Sequence, residues 1–394
     1  MPVREPIYMD ANATTPLLPQ VVEAMRPFWM AEFGNASSVH QRGQQARAAV
    51  DQAREQVAAL IRCRPAEVVF TSGGTESDNL ALFGVLSPGD HLVTTAIEHH
   101  AVLHAAEALA GRGIEVTFVK PSGAGLVEPE TVRAALRPNT RLMSVMLANN
   151  ETGVLQPVRQ IAEIAHAAGA LFHTDAVQAG AKLPLDVNAL GCDLLSLSGH
   201  KMHAPQGTGV LFVSRRIQLQ PMFYGGMHER GRRPGTENVA GIAGLGCAAE
   251  LARQWIAAGQ DATSGPASFP ENPAALGALR DRLQQGILAA VPDAGVNGAG
   301  APRVANTTNL YFDGVDAEAL IIALDLQGLA ISAGSACQSG ATEPSHVLLA
   351  MALDEPRARA SIRLSLSRRN TGLEVDSAIE RVAAAVRRLR SLAG

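Results

Sequence analysis

Three lysines, a strand-end aspartate, a glycine-rich turn and a loop cysteine are the groups through which this 394-residue chain could do chemistry. Among 33 basic residues only Lys120, Lys182 and Lys201 are lysines. Arginine stays protonated and forms no Schiff base, so the candidates for that role are these three. Lys201 ends Leu197-Ser198-Gly199-His200-Lys201, directly after an apolar run that reads as a strand. Lys120 precedes Pro121 in a turn and Lys182 sits in the connection 181–184, so both are expected at the solvated surface. His173-Thr174-Asp175-Ala176-Val177-Gln178 places an acid at the end of a buried strand. There it either takes a cationic partner to offset desolvation or caps the next helix. Thr71-Ser72-Gly73-Gly74-Thr75-Glu76-Ser77 follows a strand and opens a helix. Its backbone N–H groups and two or three hydroxyls can cradle a phosphate; the alternative is a glycine turn with a Thr N-cap. It fits neither the Walker nor the G-x-G-x-x-G pattern.

Phosphate anchor, ring-nitrogen partner and Schiff-base donor, in that order, are the parts that hold pyridoxal phosphate. A carboxylate at Asp175 would keep the pyridine nitrogen protonated and the ring an electron sink. Ala333-Gly334-Ser335-Ala336-Cys337-Gln338-Ser339-Gly340 surrounds one thiol with small residues, a setting in which it can approach a bound substrate and withdraw carrying cargo. Cys63, Cys192 and Cys247 fall in apolar or helical contexts, and no C-x-x-C pair suggests a disulfide framework or a cysteine zinc site. His100 and His104 have the i, i+4 spacing of a metal pair, but no third ligand accompanies them, and no metal is expected.

Apolar, β-branched runs at 67–71, 91–96, 114–120, 141–147, 170–174, 193–198 and 208–213 would position these groups. Helical spacing separates most of them, at 44–61, 76–86, 99–110 and 158–168. The alternation predicts an α/β fold: a mostly parallel, seven-stranded sheet covered by helices, with chemistry at the carboxyl ends of the strands. A long helix over 238–257 precedes a Gly, Pro and Ser-rich stretch at 258–272. Beyond it, helices at 275–290, 316–326 and 374–392 mix with strands at 307–312, 329–332 and 361–365, which suits a smaller α+β domain. The expected division is a large domain over 15–257 and a small one made of 1–14 plus 258–394.

The net charge of −4 offers no general attraction to nucleic acid or anionic membrane. No apolar stretch approaches the roughly 20 residues that span a bilayer, and the N-terminus lacks a signal-peptide core, so the expected location is the cytoplasm.

The ordered motifs resemble the cysteine desulfurases that carry a reactive cysteine on a long loop, within the class V aminotransferase-like, fold-type-I pyridoxal-phosphate enzymes. The resemblance runs nearly end to end. It includes Tyr8-Met9-Asp10-Ala11-Asn12-Ala13-Thr14-Thr15-Pro16, Gly34-Asn35-Ala36-Ser37-Ser38-Val39-His40, Glu98-His99-His100-Ala101-Val102-Leu103 and the motifs around Asp175, Lys201 and Cys337. The wording of 148–153 and 231–238 is closest to the nitrogen-fixation branch. The resemblance implies phosphate contacts from Gly74, Thr75, Ser198 and His200, with Thr236 contributed across a homodimer interface. It implies that Asn150 and Gln178 bond the ring oxygen and Asp175 the ring nitrogen, and that His99 stacks on the ring and acts as an acid/base. Arg363 would clamp the carboxylate of L-cysteine, assisted by Asn35 and Asn150. Lys201 would act as base once displaced, and Cys337 would take the substrate sulfur as a persulfide, leaving L-alanine. The cargo would pass to an iron–sulfur scaffold or another sulfur-acceptor protein. The chain ends without the tail that housekeeping relatives use around their scaffold, and 258–272 is longer than the family connection.

An aminotransferase or selenocysteine lyase would use Lys201, Asp175 and the phosphate loop equally well, and Cys337 separates them from a desulfurase. A cofactor-free sulfur carrier would need Cys337 alone, and a metal hydrolase would need the histidines.

Overall fold

The computed structural model describes residues 6–258, 268–333 and 343–393. Cys337 and most of the 258–272 stretch lie outside them.

All seven expected strands form one sheet, in the spatial order Val68–Thr71, Gly209–Val213, Leu194–Ser198, Leu171–Asp175, Thr140–Ser144, His91–Thr95 and Glu115–Val119. Gly209–Val213 runs antiparallel to both neighbours and the remaining pairs are parallel. Val68–Thr71, two reversals away, therefore points the same way as Leu194–Ser198. The carboxyl ends of six strands share one edge. Strands such as Val68–Thr71, His91–Thr95, Leu194–Ser198 and Gly209–Val213 are buried on both faces, and Val, Leu and Phe supply most of their bulk. Gly209 begins its strand at that same edge. A Cβ there would lie 2.6 Å from the Gly73 backbone, so only glycine lets the 71–77 turn close against the sheet.

A second core holds Leu283, Ile287, Leu310, Phe312, Leu320, Ile362, Val382 and Val386. It lies among the helices Pro273–Ala290, Ala317–Asp325 and Gly372–Ala393 and an antiparallel sheet ordered Ser332–Ala333, Ser361–Ser365, Thr307–Phe312, Ala294–Val296. The run expected as one strand over 329–332 divides. Leu329–Ala330 pairs in parallel with Ile7–Tyr8, and Ser332–Ala333 crosses to Ser361–Ser365. Residues 9–15 then run from the small sheet to the large one: Ser365 N–H donates to Met9 O, and Thr15 N–H to His200 O. The helix Pro19–Trp29, which the sequence reading did not identify, packs on Val239–Ala257.

The strand that leads into the phosphate-type turn is anchored by a buried ion pair. Arg54 grips both carboxylate oxygens of Glu229 at 2.6 and 2.8 Å and donates to Val68 O, while Phe70 N–H donates to Glu229. Both side chains are almost wholly buried. Removing one partner strands the other's charge in a dry site. Glu229→Ala should therefore cost about 3–5 kcal/mol, read as a fall in the urea midpoint of the apoprotein.

Candidate active site

The shared carboxyl edge opens into a cavity of about 320 Å³ lined by residues that follow successive strand ends. His99 comes from the connection after His91–Thr95, and Asn150 from the one after Thr140–Ser144. Asp175 and Ser198 are the last residues of their strands, and Lys201 ends the short turn Gly199–Lys201. Gly74 and Thr75 enter from the first turn of the helix Gly74–Phe83, whose N–H groups have no acceptor within the helix. Arg363 comes from the small sheet, and Asn12 and Ala13 from the crossing segment.

Lys201 Nζ donates to Asn12 O at 2.5 Å and to Ala13 O at 2.6 Å. Asp175 takes the Val177 N–H at 2.8 Å, so it does cap the turn after its strand while also facing the cavity. Burial pushes its carboxyl up to about 6, against the pull of that N–H and of Lys201. At neutral pH it is an anion awaiting a cation. Burial and then Lys201 hold the His99 imidazole down at about 4, and burial and Lys201 do the same for His200. His99 is thus a neutral ring at pH 7, accepting through Nδ1 and so carrying its N–H donor at Nε2. It also caps the helix His100–Ala110 through Ala101 N–H.

Several expectations change in detail. The Thr71 and Ser77 hydroxyls bond each other at 2.7 Å, and Ser77 also donates to Gly73 O. Of the turn's hydroxyls, Thr75 is the one lining the cavity. Arg363 is nearly fully buried and partly engaged: Nη2 donates to Asp10 at 2.7 Å and Nη1 to Asn150 O at 3.0 Å. Asn35 and Thr236 are exposed and do not line the cavity within one chain. Lys120 is exposed as expected. Lys182 is not: it is 6% exposed, beneath the cavity floor. Gln178 lies four residues earlier, and the turn between them folds both side chains inward, which a reading of the connection as surface loop overlooked.

Asn12, Asp10 and Asp78 were not assigned roles from the sequence, although the first two stand in the quoted 8–16 motif. Asp78 is completely buried at the cavity wall, and burial together with Asp175 raises its carboxyl well above the usual range. Of the two neighbouring carboxyls, Asp78 is held toward its protonated form by burial and by Asp175. Its Oδ1 is 3.6 Å from His173 Nε2. It stands in the polar run 75–79, where nothing in the local sequence marks it as buried.

The described donor set fits pyridoxal phosphate. Among the described residues, Asn150 Oδ1 and Arg363 Nε, on residues that line the cavity, are buried and find no hydrogen-bond partner. A Cβ at Gly74 would meet Val177 at 2.8 Å, so the space beside the helix N-terminus depends on glycine. An anion fits at that N-terminus, a pyridinium at Asp175 and an aldehyde carbon at Lys201. Among the described residues no group of three or more His, Cys, Asp or Glu could hold a metal ion. His100 instead packs against the rings of His104 and His346. No helix among the described residues is long and apolar enough to cross a membrane.

The class-V aminotransferase family matches residues 7–377. The chain is 48% identical over 394 residues to cysteine desulfurase IscS of Anaeromyxobacter dehalogenans, covering 98% of this chain and 94% of that protein. It is 43% identical over 390 residues to cysteine desulfurase IscS of Methanosarcina thermophila, covering 98% and 93%. Among solved structures, a NifS-like protein superposes with a TM-score of 0.86 at 32% identity, covering 96% of this chain and 98% of that one.

Proposed function

From a chain that belongs to the class-V aminotransferase family and is a pyridoxal-phosphate-dependent cysteine desulfurase, we propose that the strand-edge cavity is the reaction site and that Cys337 receives the sulfur. The observation that carries this reading is the convergence of Lys201, Asp175, the Gly74–Thr75 helix start and Arg363 on one cavity.

Bound there, pyridoxal phosphate supplies an electron sink for the bonds of the substrate α-carbon. Gly74, Thr75, Ser198 and His200 hold its phosphate, Asp175 its ring nitrogen, and Asn150 and Gln178 its ring oxygen. His99 would cover the ring, and Lys201 would be the amine that bears the cofactor. Arg363, with its remaining N–H groups, orients the cysteine carboxylate, and Lys201 Nζ takes the α-proton. The Cys337 thiolate then attacks the substrate sulfur. An S–S bond forms and the C–S bond breaks with its electron pair left on carbon; protonation of that carbon and return of a proton to the α-carbon yield alanine. The flanks of Cys337 support its reach. Ser332 pairs opposite Arg363 in the small sheet, and Ser345 Oγ donates to Glu151, the neighbour of Asn150.

The protein acts as a homodimer in which Asn35 and Thr236 serve the partner's cavity. This is supported by their exposure and by uncovered Trp29, Phe223, Tyr224 and Met227, the last two 91% and 81% exposed. The persulfide passes, in the cytoplasm, to an iron–sulfur scaffold or another sulfur acceptor. The wording of 148–153 and 231–238 supports the nitrogen-fixation branch for that role. Cysteine turnover tests the reading. Alanine should form from cysteine, and peptide mass spectrometry after a single turnover should place sulfane sulfur on Cys337. Pyruvate as the main product, or the sulfur on another residue, would sink it.

A further inference from the structure

The second buried lysine lies directly behind the first. Lys182 Nζ donates to Gln178 Oε1 at 2.8 Å and to Asn12 Oδ1 at 3.2 Å. Gln178 Nε2 donates to Asn12 O at 3.0 Å, and that same carbonyl accepts from Lys201 Nζ. Two short routes, one through the Gln178 amide and one through Asn12, therefore join the two amines. Asn12 is fixed from its other side as well: its Nδ2 donates to Asn150 O and to Thr307 Oγ1, and Asn306 Nδ2 donates to its Oδ1. The turn that carries Lys182 is pressed against Met202, the residue after Lys201. A Cβ at Gly180 would meet the Met202 sulfur at 2.9 Å.

This arrangement is costly for a core residue. The acceptors of Lys182 are neutral amide oxygens, and a buried amine without a carboxylate partner gives up most of its hydration. An aliphatic side chain would fill the space at less cost, so the amine has a use there. Lysine has donors and no acceptor, whereas a carboxamide has one end of each kind. Lys182 therefore fixes Gln178 with its oxygen inward and its N–H groups toward Asn12 and the cavity that Gln178 lines.

We propose that Lys182 is a positioning residue for the Lys201 centre: it holds the Gln178 N–H toward the cofactor's ring oxygen and the 12–13 carbonyls against the Lys201 amine. The oriented Gln178 N–H favours an anionic ring oxygen and so lowers the proton affinity of the Schiff-base nitrogen at Lys201, whereas the two carbonyls fix where that nitrogen sits. The inference rests on the reading of Lys201 as the cofactor-bearing amine. The charged and titratable groups around Lys182 are Lys201 and Arg363 on the cavity side and His203 and Arg368 on the other. Burial first, then Lys201 and Arg363, hold its own amine well below the usual range for lysine.

The test is a pH titration of the visible absorbance of the holoprotein. Lys182→Met should raise the midpoint by about one pH unit, because the donor that Lys182 orients toward the ring oxygen is lost. In a Gln178→Leu background the same substitution should move it by less than about half as much, since part of the effect passes through that amide. Lys182→Gln runs in parallel in case Lys182→Met does not fold, and should shift the midpoint in the same direction. A purely structural lysine would lower the melting temperature and leave the midpoint in place. That result, or loss of folded protein in both variants, overturns the inference. Borohydride reduction of the wild type separates the two readings. A label on Lys201 with an unmoved midpoint sinks only the role of Lys182, whereas a label on Lys182, or none, sinks the Lys201 reading and this one with it.

Discussion

Lys201→Ala will remove the borohydride-reducible adduct and lower alanine formation from cysteine by at least about 10³-fold, while the chain remains folded. The side chain contributes little to either core, since its amine is held by two carbonyls at the cavity edge rather than packed among apolar groups. Its loss should therefore move the melting temperature by only a few degrees. The other lysines cannot replace it. Lys120 is exposed beyond the end of Glu115–Val119, an edge strand, and Lys182 is bound beneath the floor by Gln178 and Asn12. Mass spectrometry of the reduced protein is the decisive measurement. A wild-type adduct that survives Lys201→Ala would move the Schiff base elsewhere, and Lys182 would be the first place to look.

The sheet was legible in the sequence because its strands are short and continuously apolar and are separated by helical spacing. Fully buried parallel strands leave that pattern. Sequence order also carried the site, because a parallel sheet puts every strand-end motif at one edge. Asp175, Ser198 and Lys201 could thus be grouped before any contact was known. The sequence did not carry what depends on the crossing segment 9–15. Nothing local to Asn12 says that its carbonyl will meet Lys201, or that Asp10 will hold Arg363. Those contacts arise only when the small sheet docks on the large one. Lys182 was misplaced for a related reason. A lysine in a connection is ordinarily solvated, and its burial follows from the inward turn 176–182 and from an acceptor, Asn12, 170 residues away.

The Arg54–Glu229 pair belongs with these non-local features. It ties the strand before the Gly73–Gly74 turn to the segment that leads to Thr236. Glu229 and Arg230 both adopt left-handed backbone angles, φ 47° and 60°, and bring the chain back over the sheet edge. A fault there would reach the phosphate site and the proposed partner contact together, although neither residue lines the cavity. The effect of Glu229→Ala on cofactor retention should therefore follow its effect on stability.

Cys337→Ala separates cofactor chemistry from sulfur transfer more sharply than any other single change. Removal of the α-proton depends on Lys201, Asp175 and Arg363, all of which the variant keeps. Exchange of that proton with solvent should therefore proceed as in the wild type, with an unchanged visible spectrum. Cleavage of the C–S bond depends on a thiolate that attacks sulfur, so persulfide and alanine should fall by at least about 10³-fold. The remaining cysteines give no relief. Burial pushes the Cys63 and Cys192 thiols up to about 12 and raises Cys247, so little thiolate exists at pH 8. Cys63 and Cys192 also precede their strands, at the sheet edge opposite the cavity, and Cys247 lies within the helix Val239–Ala257. Alanine formation at the wild-type rate in Cys337→Ala would mean that sulfur leaves without that nucleophile. Loss of α-proton exchange along with it would mean that the residue shapes the cavity rather than accepts the cargo.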